Sequence, residues 1–324
     1  KLFMKVGIVG AGSIGLWFAG RLADAGVDVS VLARGRTLSA LTAGGVNVQS
    51  NDSSLKANVT VSDDATTLGR QDLVIFTVKA HDLSAAAESA ESMIDADSLI
   101  LPAMNGVPWW FLETAPSELS QHAIRTVDPA GRCAALLPVS QVVGCVVHAS
   151  CFVVEPGTVQ HVMGNSLILG AASTVSPQRL SQVEKLFTAA KFDTTVSDDI
   201  RYDIWYKLWG NMTMNPLSAL TGATCDIILD EPGARTFASA VMDEAAEIGA
   251  AIGCEITQSP DDRHAITRKL GAFKTSMLQD AEAGRPLEIS ALLEAPQEIA
   301  RFAGISTPSL DYLLGLMRVF NQAR

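Results

Sequence analysis

The sequence predicts an α/β fold: a doubly wound parallel sheet with added antiparallel strands, followed by an all-helical C-terminal domain. Short apolar runs alternate with helical patterns near the start of the chain, which indicates a parallel sheet covered on both faces. Strand-like runs joined by turn residues follow between 142 and 170, and after Asp198 the pattern is almost entirely helical. We therefore expect one domain over residues 4–197 and a second over residues 198–324.

Each element of the first domain is predicted from a local pattern. A helix over Ser13–Ala25 follows the first apolar run and is stopped by Gly26. Pro156-Gly157 and Gly164-Asn165 predict tight turns between antiparallel strands that extend the sheet. A further helix is expected over 177–191. The runs that predict the other strands are KVGIVG (5–10), VDVSVLAR (27–34), DLVIFTVKA (72–80), SLILPAMNG (98–106) and FDTTVSDD (192–199).

Composition excludes several classes of function. The chain has 324 residues and a net charge of −11, which argues against nucleic acid or an anionic membrane as the main partner. Its five cysteines and five histidines show no metal-ligand spacing, so no metal is predicted and a reducing cytoplasm is favoured. No apolar run reaches the roughly 18 residues of a membrane span, and we expect no signal peptide before the first strand. Residues Lys1–Phe3, which precede Met4, are expected to be foreign to the natural chain.

A glycine motif at the first strand–helix junction predicts a Rossmann-type dinucleotide site. Gly10-Ala11-Gly12-Ser13-Ile14-Gly15 matches G-x-G-x-x-G, follows an apolar strand and opens a helix. In this motif the first glycine makes the turn, the second admits a pyrophosphate, and the third packs helix on strand. The helix N-terminus, at Ser13 and Ile14, faces the anion.

The end of the second strand favours NADP over NAD. An NAD site tends to carry an acid there, whereas this chain has Arg34 and Arg36, whose charges suit a 2′-phosphate. We favour Arg34; two solvated surface arginines are the alternative interpretation. A site for S-adenosylmethionine usually keeps the acid and is therefore less favoured.

Two further strands end in polar residues. Lys79 closes the run over 72–80, and Asn105 closes the run over 98–106. Ligands of open α/β sheets bind beyond the carboxyl ends of the strands, so both residues are candidates for the site. Capping a helix or filling a turn is the alternative.

A polar stripe marks an otherwise apolar helix in the second domain. Lys207, Asn211 and Asn215 follow one another at intervals of four, and each step turns a helix by about 400°, so the three share one face. Such groups are costly to bury without partners, so the stripe faces solvent, another backbone or a site. Trp205 and Trp209 flank the lysine and are expected to anchor the helix.

Several stretches resemble the ketopantoate reductase (2-dehydropantoate 2-reductase) family, in the same order and over nearly the whole chain. They are GIVGAGSIG, VKAHDL, NGV, KLWGNMTMNPLSALTG, TSMLQD and RPLEI. The resemblance implies a Rossmann domain, a helical C-terminal domain and an active site in the cleft between them. It also implies reduction of a 2-oxo acid by NADPH to a (R)-2-hydroxy acid, as a step toward pantothenate.

The resemblance also implies roles for single residues. Lys207 matches the catalytic lysine, and Glu288 matches the glutamate opposite it. Asn211 and Ser276 match substrate-binding residues. Lys79 and Asn105 match the residues that meet the cofactor and the reacting centre. Asn215 is interpreted as structural, closing backbone bonds that Pro216 cannot make.

Three positions depart from the family and leave the substrate open. Phe273 stands where an asparagine is expected, Cys225 replaces a polar residue, and Leu293 replaces a polar residue after Glu288. Pantoate formation is the first hypothesis, and the same chemistry on a bulkier branched or aromatic 2-oxo acid is the second. An NADP-binding regulatory protein without turnover is a third, and a 3-hydroxy acid dehydrogenase a fourth. Self-association as a homodimer stays open.

Overall fold

The computed structural model describes residues 4–51, 53–116 and 118–324, so the expectation about Lys1–Phe3 lies outside the described residues. The chain divides into two units. Unit 1 is the described part of Lys1–Met104 together with Gly131–Asp203, and unit 2 is Asn105–Ala130 together with Ile204–Arg324.

Unit 1 contains two β-sheets. The first has the strand order β5-β2-β1-β6-β7, all parallel, and the second has the order β10-β9-β3-β4 with β8 paired to β9. The strands are β1 (Lys5–Val9), β2 (Asp28–Leu32), β3 (Val46–Gln49), β4 (Ser54–Ala57), β5 (Thr60–Ser62), β6 (Leu73–Phe76), β7 (Leu99–Pro102), β8 (Val143–Glu155), β9 (Thr158–Ala171) and β10 (Asp193–Val196).

One helix of unit 1 packs against strands of both sheets. The α-helices of this unit are α1 (Ser13–Asp24), α2 (Gly35–Gly44), α3 (Ala65–Leu68), α4 (Leu83–Ser89), α5 (Arg132–Leu136) and α6 (Pro177–Ala189). Trp17 and Phe18 of α1 are fully buried and form edge contacts with Phe192 at centroid distances of 4.9 and 5.4 Å. Gly20 allows close approach, since a Cβ there would lie 2.5 Å from Val48 Cγ2. These contacts fix α1 against the second sheet.

The fold class is confirmed, with two corrections to the antiparallel region. These strands form a second sheet instead of extending the first one. Gly164-Asn165 is not a turn, because it lies inside β9. The β8–β9 ladder shifts register between His148 and Ser150, and Gly164, at φ +76°, approaches the His148 carbonyl so closely that a Cβ would lie 2.4 Å from its oxygen. The glycine therefore marks a β-bulge, which sequence signals do not separate from a turn.

Unit 2 is mostly helical. The helices are α7 (Ile200–Thr221), whose first residues belong to unit 1, α8 (Cys225–Asp230), α9 (Pro232–Ala251), α10 (Pro260–Arg268), α11 (Ser276–Glu282), α12 (Ala295–Ala303) and α13 (Pro308–Ala323), with a π-helical segment (Ser290–Glu294) before α12. The expectation that two tryptophans anchor α7 is confirmed. Both are fully buried, and the indole N–H groups of Trp205 and Trp209 donate to the carbonyls of Ala245 (3.1 Å) and Met242 (2.8 Å) on α9.

The segment Asn105–Ala130 belongs to unit 2, although the sequence places it in the expected first domain. Phe111 stacks on Trp205 at 5.9 Å between ring centroids. The Glu298 carboxylate accepts hydrogen bonds from the backbone amides of Arg125 (3.0 Å) and Thr126 (2.9 Å). These contacts join sequence-distant segments, which local periodicity does not reveal. The division at 197 stays a prediction.

Of the helices within the described residues, none combines the length and the hydropathy needed to span a bilayer. The described side chains also include no group of three or more His, Cys, Asp and Glu suited to holding a metal ion.

Candidate active site

The turn between β1 and α1 requires glycine at its first position. Gly10 has φ +108°, and a Cβ there would lie 2.8 Å from the backbone nitrogen of Val78. The turn is also held from β6, because the backbone amide of Thr77 donates to the Val9 carbonyl at 2.9 Å and its hydroxyl donates to the Gly10 carbonyl at 2.5 Å. The neighbouring strand thus fixes the loop that precedes α1.

The other two glycines of the motif have different surroundings. A Cβ on Gly15 would lie 1.9 Å from the Gly10 carbonyl oxygen, so this glycine is required for packing. Gly12 is exposed, and a Cβ there would meet nothing within 4 Å. The first turn of α1 contains no acid, and Ser13 and Ile14 are only partly buried. The loop therefore leaves open space in front of amides that favour an anion, which is the shape a pyrophosphate requires.

Cationic side chains follow β2 and β6. Arg34 is the N-cap residue of α2, and both Arg34 and Arg36 are exposed. Within the described part of the chain, neither guanidinium has a hydrogen-bond or ion-pair partner. Lys79 is partly buried and precedes the 3₁₀ turn Ala80–Asp82. Unit 1 thus combines the glycine loop with accessible guanidinium groups after β2, and such groups can bind anionic oxygens.

In unit 2 the structure brings together two residues that the sequence places far apart. Lys207 Nζ donates a hydrogen bond of 2.9 Å to Asn105 Oδ1, and both side chains are half-buried. Asn105 follows the end of β7, and Lys207 lies on α7. The amide oxygen therefore orients an ammonium group that is partly shielded from water.

The amides of the predicted stripe lie on α7 after Lys207. Asn211 is half-buried, and Asn215 is 5% exposed. Neither side chain forms a hydrogen bond to any residue that the structure describes, so the interpretation of Asn215 as closing backbone bonds is wrong. An amide without a hydrogen-bond partner in the protein is available to water or to a polar ligand at this face. The regular spacing of the three polar residues places Asn215 on the same face of α7 as Lys207.

Ser276 and Glu288 begin two other segments of unit 2. Ser276 is the first residue of α11 and is exposed, while the hydroxyl of Thr275 accepts from the Leu278 amide at 3.2 Å and caps the helix. The Ser276 hydroxyl has no partner among the described residues. Glu288 is half-buried and lies two residues before the π-helical segment.

The three departures from the family differ in accessibility. The backbone amide of Cys225 donates to the Phe273 carbonyl at 3.1 Å, so these two positions are neighbours. Cys225 is 2% exposed, and burial, with the charge of Asp226, raises the pKa of its thiol to about 11. Leu293 has no accessible surface and lies within the π-helical segment. Phe273 alone of the three is only half-buried, so a bound ligand can touch it.

Comparison with known proteins identifies the family. The profile described as "Ketopantoate reductase PanE/ApbA" matches residues 6–174, and its C-terminal counterpart matches residues 199–321. The chain belongs to the ketopantoate reductase family. This confirms the resemblance seen in the sequence motifs.

Similar proteins cover the chain almost completely. The 2-dehydropantoate 2-reductase of Mesorhizobium japonicum is 38% identical over 316 residues, which is 97% of each chain. A protein of Ralstonia solanacearum MolK2, assigned as a ketopantoate reductase, has a crystal structure that is 47% identical with a TM-score of 0.95, covering 99% of this chain and 98% of that one. The 2-dehydropantoate 2-reductase of Geobacter metallireducens GS-15 is 27% identical with a TM-score of 0.85, covering 99% and 100%.

Proposed function

We propose that this chain is an NADPH-dependent reductase that converts a 2-oxo acid to a (R)-2-hydroxy acid, with 2-dehydropantoate as the first candidate substrate. The observation that carries the proposal is the 2.9 Å hydrogen bond from Lys207 to Asn105. On the helix of Lys207, the side chain of Asn211 forms no hydrogen bond to a residue that the structure describes. Named 2-dehydropantoate 2-reductases that match the full length of the chain support the substrate.

Lys207 acts as the proton donor. A bound nicotinamide cofactor would supply the hydride that adds to the keto carbon of the substrate. Negative charge that develops on the ketone oxygen is stabilised by the ammonium of Lys207, which then gives up a proton. The bond to Asn105 Oδ1 restricts the rotamers of the lysine, so less freedom is lost when substrate binds. Glu288 is the second catalytic residue, and it favours the charged form of the lysine or accepts from the product hydroxyl.

Asn211, Ser276 and Asn105 bind the substrate. Amide and hydroxyl donors can hold the carboxylate and the keto oxygen without adding charge, and the side chains of Asn211 and Ser276 have no partner in the described part of the chain. We add Asn215, whose side chain lies on the same helix face and forms no hydrogen bond to a residue that the structure describes.

Unit 1 holds the cofactor. Gly10, Gly12 and Gly15 shape the loop, and the amides at Ser13 and Ile14 receive the pyrophosphate. Arg34 binds the 2′-phosphate of NADPH. The cofactor-binding roles expected for Lys79 of unit 1 and for Asn105 of unit 2 stay predictions. A cytoplasmic location and a homodimer stay predictions.

The second candidate function is the same reaction on a bulkier branched or aromatic 2-oxo acid. It is favoured by the half-buried aromatic side chain of Phe273, which lies beside the buried Cys225. Phe273→Asn tests this: if Phe273 contacts an apolar substrate, the variant loses kcat/KM for aromatic 2-oxo acids and gains it for ketopantoate. An equal effect on both substrates would exclude Phe273 as the selective residue.

The decisive experiment follows NADPH oxidation at 340 nm with ketopantoate and a panel of branched and aromatic 2-oxo acids. Preference for ketopantoate supports the first candidate, and preference for another acid supports the second. Binding of NADPH without oxidation by any 2-oxo acid would support the remaining alternative, a regulatory NADP-binding protein.

A further inference from the structure

Gly106 lies between two contacts of the candidate active site. On one side, Asn105 accepts the hydrogen bond from Lys207. On the other, the backbone amide of Val107 donates to the Ala291 carbonyl at 3.0 Å. Gly106 has φ +81°, and a Cβ there would lie 2.5 Å from the Ala291 oxygen and 2.7 Å from its carbonyl carbon. The segment 105–107 therefore fits against Ala291 only with glycine in the middle.

Ala291 lies in the π-helical segment Ser290–Glu294, and the sequence explains why its carbonyl is available. In π-helical geometry a carbonyl pairs with the amide five residues on, which for Ala291 is residue 296. Pro296 stands at that position and has no N–H to donate. The Val107 amide supplies the missing donor, so a buried carbonyl is satisfied by the segment that carries Asn105.

We propose that Gly106 and Pro296 are positioning residues for the reaction, a role that rests on the proposed function of Lys207 and Glu288. Pro296 leaves the Ala291 carbonyl free, and Gly106 allows the 105–107 segment to dock on it. The docked segment sets Asn105 against Lys207, and Glu288 directly precedes the helical stretch that receives the segment. One backbone contact thus fixes the orienting amide of Asn105 relative to the helical stretch that follows Glu288.

Two variants test the proposal, each with a matched control. Gly106→Ala introduces the clash with Ala291. Gly304→Ala is its control, because Gly304 has a similar φ of +69° but nothing within 4 Å of the added Cβ. Pro296→Ala restores a backbone N–H that can donate to the Ala291 carbonyl and so competes with the Val107 amide for it. The alanine also has the higher helix propensity. Pro308→Ala is its control, because Pro308 is the first residue of α13, where an N–H has no helical partner.

The measurements are kcat, its pH dependence and the melting temperature. We expect kcat of Gly106→Ala and Pro296→Ala to fall at least about tenfold, while both controls stay within twofold. The alkaline limb of the kcat profile moves to lower pH in these two variants, because Lys207 loses an acceptor that favours its protonated form. Pro296→Ala is expected to keep or raise the melting temperature, so a loss of kcat there is not a loss of folding.

Normal kcat and an unchanged pH profile in Pro296→Ala, with an active wild-type protein, would overturn the positioning role and leave the proposed function intact. A fall in the melting temperature of Gly106→Ala with unchanged kcat per folded molecule would do the same. A wild-type protein that reduces no 2-oxo acid would overturn the proposed function and this role with it.

Discussion

Lys207 Nζ lies 2.9 Å from Asn105 Oδ1, in a hydrogen bond that joins residues 102 positions apart in the sequence. The lysine is on a helix, and the asparagine follows the last strand of the parallel sheet. An ammonium group that is half-buried and held by an amide oxygen in this way is suited to proton donation.

Loss of the Lys207 amine should abolish most of the turnover. Lys207→Ala is expected to lower kcat by about 10²-fold or more, because a general acid contributes that much, while Kd for NADPH changes little. Stopped-flow NADPH oxidation and fluorescence titration measure the two quantities. Lys185→Ala, an exposed lysine on α6, is the control and should behave as wild type. Near-normal kcat in Lys207→Ala would remove the lysine from the mechanism.

Arg34 should determine the preference for NADPH. Arg34→Ala removes a charge-assisted contact worth about 1.5–3 kcal/mol, so Kd for NADPH should rise about 10- to 100-fold while Kd for NADH stays unchanged. Isothermal titration with both cofactors measures this. Arg36→Ala is the matched comparison, because Arg36 is exposed like Arg34 and lies only two positions further along the chain. Equal weakening of the two cofactors would reject the phosphate role.

Alanine at two glycines of the motif should separate binding from folding. Gly12→Ala adds a Cβ that meets no protein atom within 4 Å, so the melting temperature should hold while dinucleotide binding weakens, because the methyl group occupies the space for the pyrophosphate. Gly15→Ala places a Cβ 1.9 Å from a carbonyl oxygen and should lower the melting temperature. Unaltered NADPH affinity in Gly12→Ala would contradict the assignment of the loop.

His264 should make the protein less stable in acid. Its side chain is 3% exposed, and its Nε2 forms a hydrogen bond of 3.0 Å with Ser239 Oγ. Burial lowers the pKa of His264 below 6.5. The negative charge of Asp261 opposes this shift, and the positive charges of Arg235 and Arg268 add to it. Because the unfolded chain binds the proton first, the stabilisation is present above pH 6.5 and is lost as pH falls. Urea unfolding at pH 7 and pH 5 should therefore show a smaller loss for His264→Gln than for wild type. Identical losses would exclude this contribution.

Much of the candidate site could be predicted from sequence, because its signals are local. A glycine motif between a strand and a helix specifies a turn, and polar residues at intervals of four specify one helix face, as Lys207, Asn211 and Asn215 do. The apolar runs likewise predicted β1, β2, β6 and β7 of the parallel sheet, but not the short edge strand β5. The sequence presents Cys225, Phe273 and Leu293 alike as departures from the family that bear on the substrate, whereas only Phe273 has appreciable exposed surface.

The sequence by itself determined the fold class, the dinucleotide loop and the stripe on α7, since steric limits and helical periodicity act over a few residues. Only the tertiary structure decided that the antiparallel strands form a second sheet, that Gly164 marks a bulge, and that Asn105 meets Lys207. The docking of Val107 on a π-helical carbonyl also belongs to this second group. The reason is physical: a hydrogen bond between distant segments depends on how whole elements pack, and no local pattern encodes that packing.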